Sequence, residues 1–228
     1  TAMARKLAGS GVAIRAVELP GHDLAADPEP FVPLERVVEQ VVDELAALPN
    51  RRIMLWGHSS GAAGALAAAR RLEQHQIEVE RVFIGAQLIG DAAERRAAVS
   101  GLRRRSDGEI AGQLSKDGGY TELRDLERTQ ALQIGAAYRH DCIEAHRYFA
   151  ERLEDPPDTK LSAPITVVVA ADDPVTVEWP GRHLEWSLFS DDVDVHDLPD
   201  GGHYFPRTRP DDAADAVLQR ARQLDRQR

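Results

Sequence analysis

The clearest chemical pattern in the chain is a serine between glycines, GHSSG at residues 57–61. An apolar run, Arg52 to Trp56, precedes this pattern, and an alanine-rich run, Gly61 to Arg71, follows it. A serine on a sharp turn from strand to helix exposes its hydroxyl for nucleophilic attack, and the first amides of that helix favour a negatively charged oxygen. We therefore expect Ser59 to be a nucleophile and the backbone NH of Ser60 to be a donor to the oxyanion.

A serine nucleophile needs a base within reach, and histidine is the usual one. The best candidate is His203, because it follows two glycines in a loop after a short apolar run and can project over the edge of a sheet. His183 and His196 are the rivals, but the first lacks a glycine turn beside it and the second alternates within a strand pattern. His58 is too close to Ser59 in sequence to fold back onto it.

The base in turn needs an acid that orients it. When a serine of this kind precedes its histidine along the chain, the acid lies between the two in sequence. Asp172 and Asp173 directly follow the continuous apolar run Pro164 to Ala171. We favour Asp173, which precedes a proline, over Asp172. Asp91, which follows the strand after the serine, remains a third candidate.

Strands and helices alternate along the chain, as a doubly wound, mostly parallel sheet requires. Apolar runs predict strands over Gly11 to Leu19, Arg52 to Trp56, Arg81 to Ile89, Pro164 to Ala171 and Val193 to Leu198. Apolar residues at helical spacing predict one helix from about Pro33 to Leu48 and another from Asp211 to Leu224. We expect Pro33 to lie in the first turn of its helix. A ligand of such a sheet binds at the carboxyl ends of its strands.

The stretch from Asp91 to about Lys160 has a different texture, being polar, strongly charged and helix-prone without a buried-strand pattern. We expect a helical lid insertion at residues 91–160 and a core formed by residues 1–90 and 161–228. The lid is nearly neutral while the core carries most of the negative charge, and Arg103, Arg104 and Arg105 are the densest positive run in the lid. This surface is the expected docking site for an acidic partner.

Length and composition favour one globular domain, with 228 residues, 43% hydrophobic and 29% charged. The net charge of −10 argues against nucleic acid as a partner. No apolar run approaches the ~20 residues that span a bilayer, and no signal-peptide pattern is present, so we expect no membrane contact. We expect no metal site, and the single cysteine, Cys142, excludes an internal disulfide and favours a cytoplasmic location.

Several motifs together resemble those of the type II thioesterases of non-ribosomal peptide and polyketide synthesis, which have the α/β-hydrolase fold. The matching stretches are VELPGHD at 17–23, GHSSGA at 57–62, YRHDCIEAHRYF at 138–149, APITVVVAADDPVT at 163–176 and LPDGGHYF at 198–205. They follow one another in the expected order over nearly the whole chain. The chain also resembles terminal thioesterase domains, many of which take their acid from an earlier strand.

The resemblance implies that Ser59, Asp173 and His203 are nucleophile, acid and base. It also implies a substrate in which a carrier protein bears the acyl group on its phosphopantetheine arm, with no separate cofactor. Two other interpretations remain open, because fold and triad alone do not choose the leaving group. One is a carboxylester hydrolase of the same fold, and the other is a non-catalytic module that binds a carrier protein.

The chain departs from the family pattern at three points. Ser60 occupies a position where a larger apolar residue is usual, and Trp56 one where a smaller aromatic is common. The first strands of the family and its glycine-rich oxyanion loop would precede Thr1. The Ser60 amide is therefore the one oxyanion donor that the sequence identifies.

Overall fold

The structure, a computed structural model, describes residues 2–25, 29–48, 52–116 and 125–226. Within these ranges, four strands form one sheet in the order in which they occur along the chain: β1 (Ile53–His58), β2 (Val79–Gly85), β3 (Ile165–Ala170) and β4 (Val193–Leu198). Every neighbouring pair is parallel. The carboxyl ends of all four strands therefore meet at one edge.

The helices precede, connect and follow these strands. They are α1 (Ala2–Gly9), α2 (Leu34–Ala46), α3 (Gly61–Gln74), α4 (Ala92–Arg104), α5 (Asp107–Leu114), α6 (Arg128–Glu154), α7 (Trp179–Arg182), α8 (Phe205–Thr208) and α9 (Pro210–Arg226), with a 3₁₀ turn over His183–Leu188. None of the helices in the described ranges is long and apolar enough to cross a membrane.

The sheet is covered on both faces because successive side chains of a strand point to opposite sides. In β2, Val82 and Ile84 join a cluster with residues of α2, α3 and α6, while Phe83 between them joins a second cluster with residues of α1 and α9. All six residues of β3 are buried, as expected for a strand inside a parallel sheet. The fold is thus the parallel sheet with flanking helices that the sequence predicts.

The strand predicted over Gly11 to Leu19 is wrong. The segment has no regular secondary structure, and the side chains of Ile14 and Val17 are 41% and 52% exposed. A strand is stabilised by hydrogen bonds to a neighbour, and β1 pairs with β2 alone among the described residues. The β-branched composition of this segment therefore predicted a strand for which no partner lies alongside.

Other element boundaries shift by a few residues. The strand predicted to reach Ile89 ends at Gly85, because Ala86 has a φ of 54°, outside the extended region. Pro33, expected in the first turn of α2, instead precedes the helix with an extended backbone. The remaining predicted strands and helices are present with ends that differ slightly from the predictions.

Between β2 and β3 the described residues form three helices, α4, α5 and α6; residues 117–124 of the expected lid lie outside the described ranges. Buried Arg95 of α4 joins α4 and α6 to the segment that follows β2. Its guanidinium donates to the carbonyls of Leu88 and Ile89, the latter at 2.7 Å, and to Nδ1 of His146 at 3.1 Å. It also lies 4.9 Å from the ring centre of Phe149 in α6. One side chain therefore ties two helices to the core.

Candidate active site

Ser59 lies on the turn that joins β1 to α3. Its φ of 52° is in the left-handed region, which a residue with a side chain rarely adopts. The turn is held by a hydrogen bond of 2.8 Å from the Ser59 amide to the carbonyl of Gly85 in β2. The strained turn expected at the GHSSG motif is therefore present, and it projects the Ser59 side chain from the carboxyl edge of the sheet.

The two glycines of the motif do different things. A Cβ on Gly57 would lie 2.4 Å from the carbonyl oxygen of Gly61 and 2.7 Å from Cα of Ala62, so no larger residue fits without moving α3. A Cβ on Gly61 would meet nothing within 4 Å. Close packing of the strand against the helix therefore requires a glycine at 57 but not at 61.

His203 reaches Ser59 from the loop after β4. Its Nε2 lies 3.0 Å from Oγ of Ser59, a hydrogen-bonding distance. Gly201 and Gly202, which precede it, have φ values of 129° and 61°. Because residues with side chains rarely adopt such values, the two glycines let the loop turn back over the serine.

Asp173 completes the contact on the far side of the histidine ring. Its Oδ2 lies 3.1 Å from Nδ1 of His203 and accepts a hydrogen bond of 2.9 Å from the hydroxyl of Thr176, while Oδ1 accepts from the Val175 amide at 2.9 Å. The side chain is fully buried. Burial by itself would raise the pKa of Asp173, but the hydrogen bonds from His203, Val175 and Thr176 outweigh it and lower that pKa below the usual value.

The two other candidate acids have different partners. Asp172 accepts a hydrogen bond of 2.7 Å from the Gly202 amide, and this bond is the main cause that lowers its pKa. Asp91 is the N-cap of α4, where its Oδ1 accepts from the Glu94 amide at 2.8 Å. Neither carboxylate has a hydrogen bond to the ring of His203.

The rival histidines do not contact the serine. His196 lies in β4 beside Val168, and burial lowers its pKa. The ring of His183 packs against that of Trp179. Cys142 is half-buried in α6, and burial raises the pKa of its thiol to about 11, which suits a packing residue better than a nucleophile.

His58 also belongs to this cluster, although its closeness to Ser59 in sequence predicts no role for it there. Its Nε2 lies 2.7 Å from the backbone carbonyl of His203, and its ring lies 5.5 Å from the His203 ring. Burial, followed by the charge of His203, lowers the pKa of His58 to about 4. The missed signal is the position directly before Ser59, which faces the loop that must approach the serine.

The backbone NH of Ser60 lies at the start of α3, where the first amides of a helix have no intrahelical acceptor. It makes no hydrogen bond to any other residue that the structure describes. A free amide beside Ser59 is available to an oxygen of a ligand. The described ranges contain no group of three His, Cys, Asp or Glu side chains that could hold a metal ion.

Comparison with known proteins relates this chain to hydrolases. A model described as the alpha/beta hydrolase family matches residues 1–216. A protein of Streptomyces griseus described as a probable cadicidin biosynthesis thioesterase is 30% identical over 209 residues, which cover 87% of this chain and 52% of that protein. The chain therefore spans about half the length of this relative.

Solved structures share the fold at lower sequence identity. The type II thioesterase BorB from the borrelidin biosynthetic cluster is 22% identical with a TM-score of 0.68, over 96% of this chain and 87% of that one. The thioesterase RedJ from the prodiginine pathway of Streptomyces coelicolor is 23% identical, with a TM-score of 0.65 over 90% and 78%. A thermophilic esterase from Thermogutta terrifontis is 19% identical, with a TM-score of 0.59 over 91% and 78%.

Proposed function

The chain belongs to the alpha/beta hydrolase family, and from that premise we propose that it is a serine thioesterase of natural-product biosynthesis. Ser59 is the nucleophile, His203 the base and Asp173 the orienting acid. The observation that carries the proposal is the pair of contacts on the His203 ring, 3.0 Å to Ser59 and 3.1 Å to Asp173.

These contacts set the tautomer of the base. Because its pKa is lowered, Asp173 is ionised at neutral pH and can only accept hydrogen bonds. Nδ1 of His203 must therefore carry a proton and donate it to Asp173. Nε2 is then an unprotonated acceptor that receives the hydroxyl hydrogen of Ser59. This is the tautomer that a general base needs, and the buried carboxylate favours the imidazolium that forms when the base takes the proton.

In the first half of the reaction, Oγ of Ser59 forms a bond to the thioester carbonyl carbon as its proton passes to Nε2 of His203. The Ser60 amide donates to the resulting oxyanion. The C–S bond then breaks, and His203 returns the proton to the leaving thiol. In the second half, His203 takes a proton from water, whose oxygen attacks the acyl-serine, and the carboxylic acid leaves as Ser59 is protonated again.

The acyl group is proposed to arrive on the phosphopantetheine arm of a carrier protein, and no separate cofactor takes part. The name of the Streptomyces griseus relative supports a thioester substrate in antibiotic assembly. The helices α4 to α6, at residues 91–160, are proposed to form a lid that receives the carrier. Exposed Arg103 and Arg104 at the end of α4 supply positive charge for an acidic partner.

Paired substrates test the proposal. The wild-type protein is assayed with an acyl-pantetheine thioester and with an oxygen ester of the same acyl group and similar alcohol. We expect a higher kcat/KM for the thioester, and loss of both activities in Ser59→Ala with an unchanged unfolding midpoint. A preference for the oxygen ester would support a carboxylester hydrolase instead, while carrier binding without turnover would support a non-catalytic module.

A further inference from the structure

His58 donates a hydrogen bond to the backbone of the proposed base. Its Nε2 lies 2.7 Å from the carbonyl oxygen of His203, and since a carbonyl only accepts, Nε2 must donate. His58 therefore carries its proton on Nε2. In the neutral ring Nδ1 is unprotonated, and this buried atom has no hydrogen-bond partner in the described part of the chain.

The fold makes a specific slot for the His58 ring. A Cβ on Gly85, in the neighbouring strand β2, would lie 2.7 Å from Nδ1 of His58, so a side chain at that position would displace the ring. The ring of Phe205 lies edge-on at 5.1 Å on another side. The ring is thus held by packing, which fixes the direction in which Nε2 donates.

The lowered pKa of His58, about 4, agrees with this arrangement. A neutral His58 can donate to the carbonyl without adding positive charge beside His203. This matters because His203 itself becomes cationic during general-base catalysis. A second positive ring at 5.5 Å would oppose that step.

The loop before His203 needs such support because glycines at 201 and 202 leave its backbone unusually free. Asp172 holds the other side of the histidine, since its Oδ1 accepts from the Gly202 amide at 2.7 Å. One bond thus fixes the peptide unit between Gly201 and Gly202, and the other fixes the carbonyl of His203. The two contacts come from β1 and from the end of β3, the elements that carry Ser59 and Asp173.

We propose that His58 and Asp172 are positioning residues that clamp the backbone on both sides of His203 and keep its ring between Ser59 and Asp173. The inference rests on the proposed function for the role of His203 as base. Neither residue takes or gives a proton in the reaction. Each acts through the distance between Nε2 of His203 and Oγ of Ser59.

Conservative and non-conservative variants separate this role from simple packing. His58→Phe keeps an aromatic ring but removes the donor, whereas His58→Gln keeps an amide donor at a similar reach. Asp172→Ala removes the acceptor, whereas Asp172→Asn keeps one.

We expect kcat for an acyl-pantetheine thioester to fall about 10- to 100-fold in His58→Phe and Asp172→Ala, as for a misplaced catalytic group. KM should be unchanged, and the Gln and Asn variants should stay within about threefold of wild type. His196→Phe, the same change in β4, is the matched control and should retain full activity.

The rate at which a fluorophosphonate labels Ser59 provides a second readout that needs no thioester. It should fall in parallel with kcat in His58→Phe and recover in His58→Gln. NMR of the His203 ring should show a weakened Nδ1–H hydrogen bond to Asp173 in His58→Phe but not in His58→Gln.

Two results would overturn the clamp: equal labelling rates in wild type and in folded His58→Phe, or equal losses in the Phe and Gln variants. A wild-type protein whose Ser59 is never labelled would instead contradict the proposed function. In that case the NMR signal of His203, recorded in His58→Phe and in Asp172→Ala, still decides whether His58 and Asp172 position the ring.

Discussion

At the scale of single residues, the adjacent carboxylates Asp172 and Asp173 bond to different parts of one loop. Asp173 is buried and accepts from the ring of His203, whereas Asp172 is exposed and accepts from the amide of Gly202. Both lie after β3, and a difference of one residue in sequence decides which carboxylate meets the ring. The aspartate pair is therefore a direct test of the assignment.

Asp173→Asn should lower kcat by about 10³- to 10⁴-fold, because an amide can donate to His203 and favour the wrong tautomer. Asp172→Asn should change kcat by less than about threefold, since its remaining oxygen still accepts from Gly202. Steady-state kinetics on a small thioester measures both. A larger loss in Asp172→Asn than in Asp173→Asn would reverse the assignment.

The half-buried histidine His146 predicts a loss of stability in acid. Burial, with the charge of Arg95 as a second cause, lowers the pKa of His146 from 6.5 to about 4. Between these values the unfolded chain binds more protons than the folded one, so stability falls as the pH drops from about 6.5 to about 4. His146→Gln, which keeps an acceptor for Arg95, should reduce that loss by on the order of 1–3 kcal/mol.

Urea unfolding at pH 6.5 and pH 4.5 measures the acid effect. The control is His75→Gln, a change at an exposed histidine at the end of α3. An equal acid loss in wild type and His146→Gln would show that His146 titrates normally in the folded state.

At the scale of elements, the turn between β1 and α3 depends on one glycine. Gly57→Ala should lower the free energy of unfolding by at least about 2 kcal/mol, because its Cβ would lie 2.4 Å from a backbone oxygen of the facing helix. Gly61→Ala should stay within about 1 kcal/mol of wild type, since its Cβ meets open space. Chemical denaturation of the two variants makes the comparison, and equal losses would contradict the packing described for the turn.

The elements that the sequence predicts well are those whose pattern is decided locally or by burial on two sides. The alanine-rich helix α3 and the fully buried strand β3 belong to this group, and they position the proposed nucleophile and the proposed acid. The segment from Gly11 to Leu19 was mispredicted because a strand also needs a neighbour, which no composition supplies. The same limit applies to His58, whose role depends on a carbonyl 145 residues away.

At the scale of the whole molecule, residues 91–160 are nearly neutral, while the rest of the chain carries most of the net charge of −10. Charge reversal at Arg103 and Arg104, both exposed at the end of α4, should raise KM for a carrier-bound acyl group about fivefold, or about 1 kcal/mol. KM for a small thioester should not change. The matched control reverses Arg71 and Arg222, which are exposed on α3 and α9. A similar rise in KM in the control variant, or an equal rise in KM for both substrates, would show that α4 is not the docking surface.

The central claim is that Ser59 forms an acyl-enzyme with a thioester, and one measurement tests it most directly. Wild type and Ser59→Ala are mixed with a short acyl-pantetheine thioester, and intact protein mass is recorded while free thiol is followed. The account predicts an added acyl mass or steady thiol release in wild type and neither in Ser59→Ala. A folded wild-type protein that gives no adduct and no thiol, or a variant that releases thiol as fast as wild type, would contradict it.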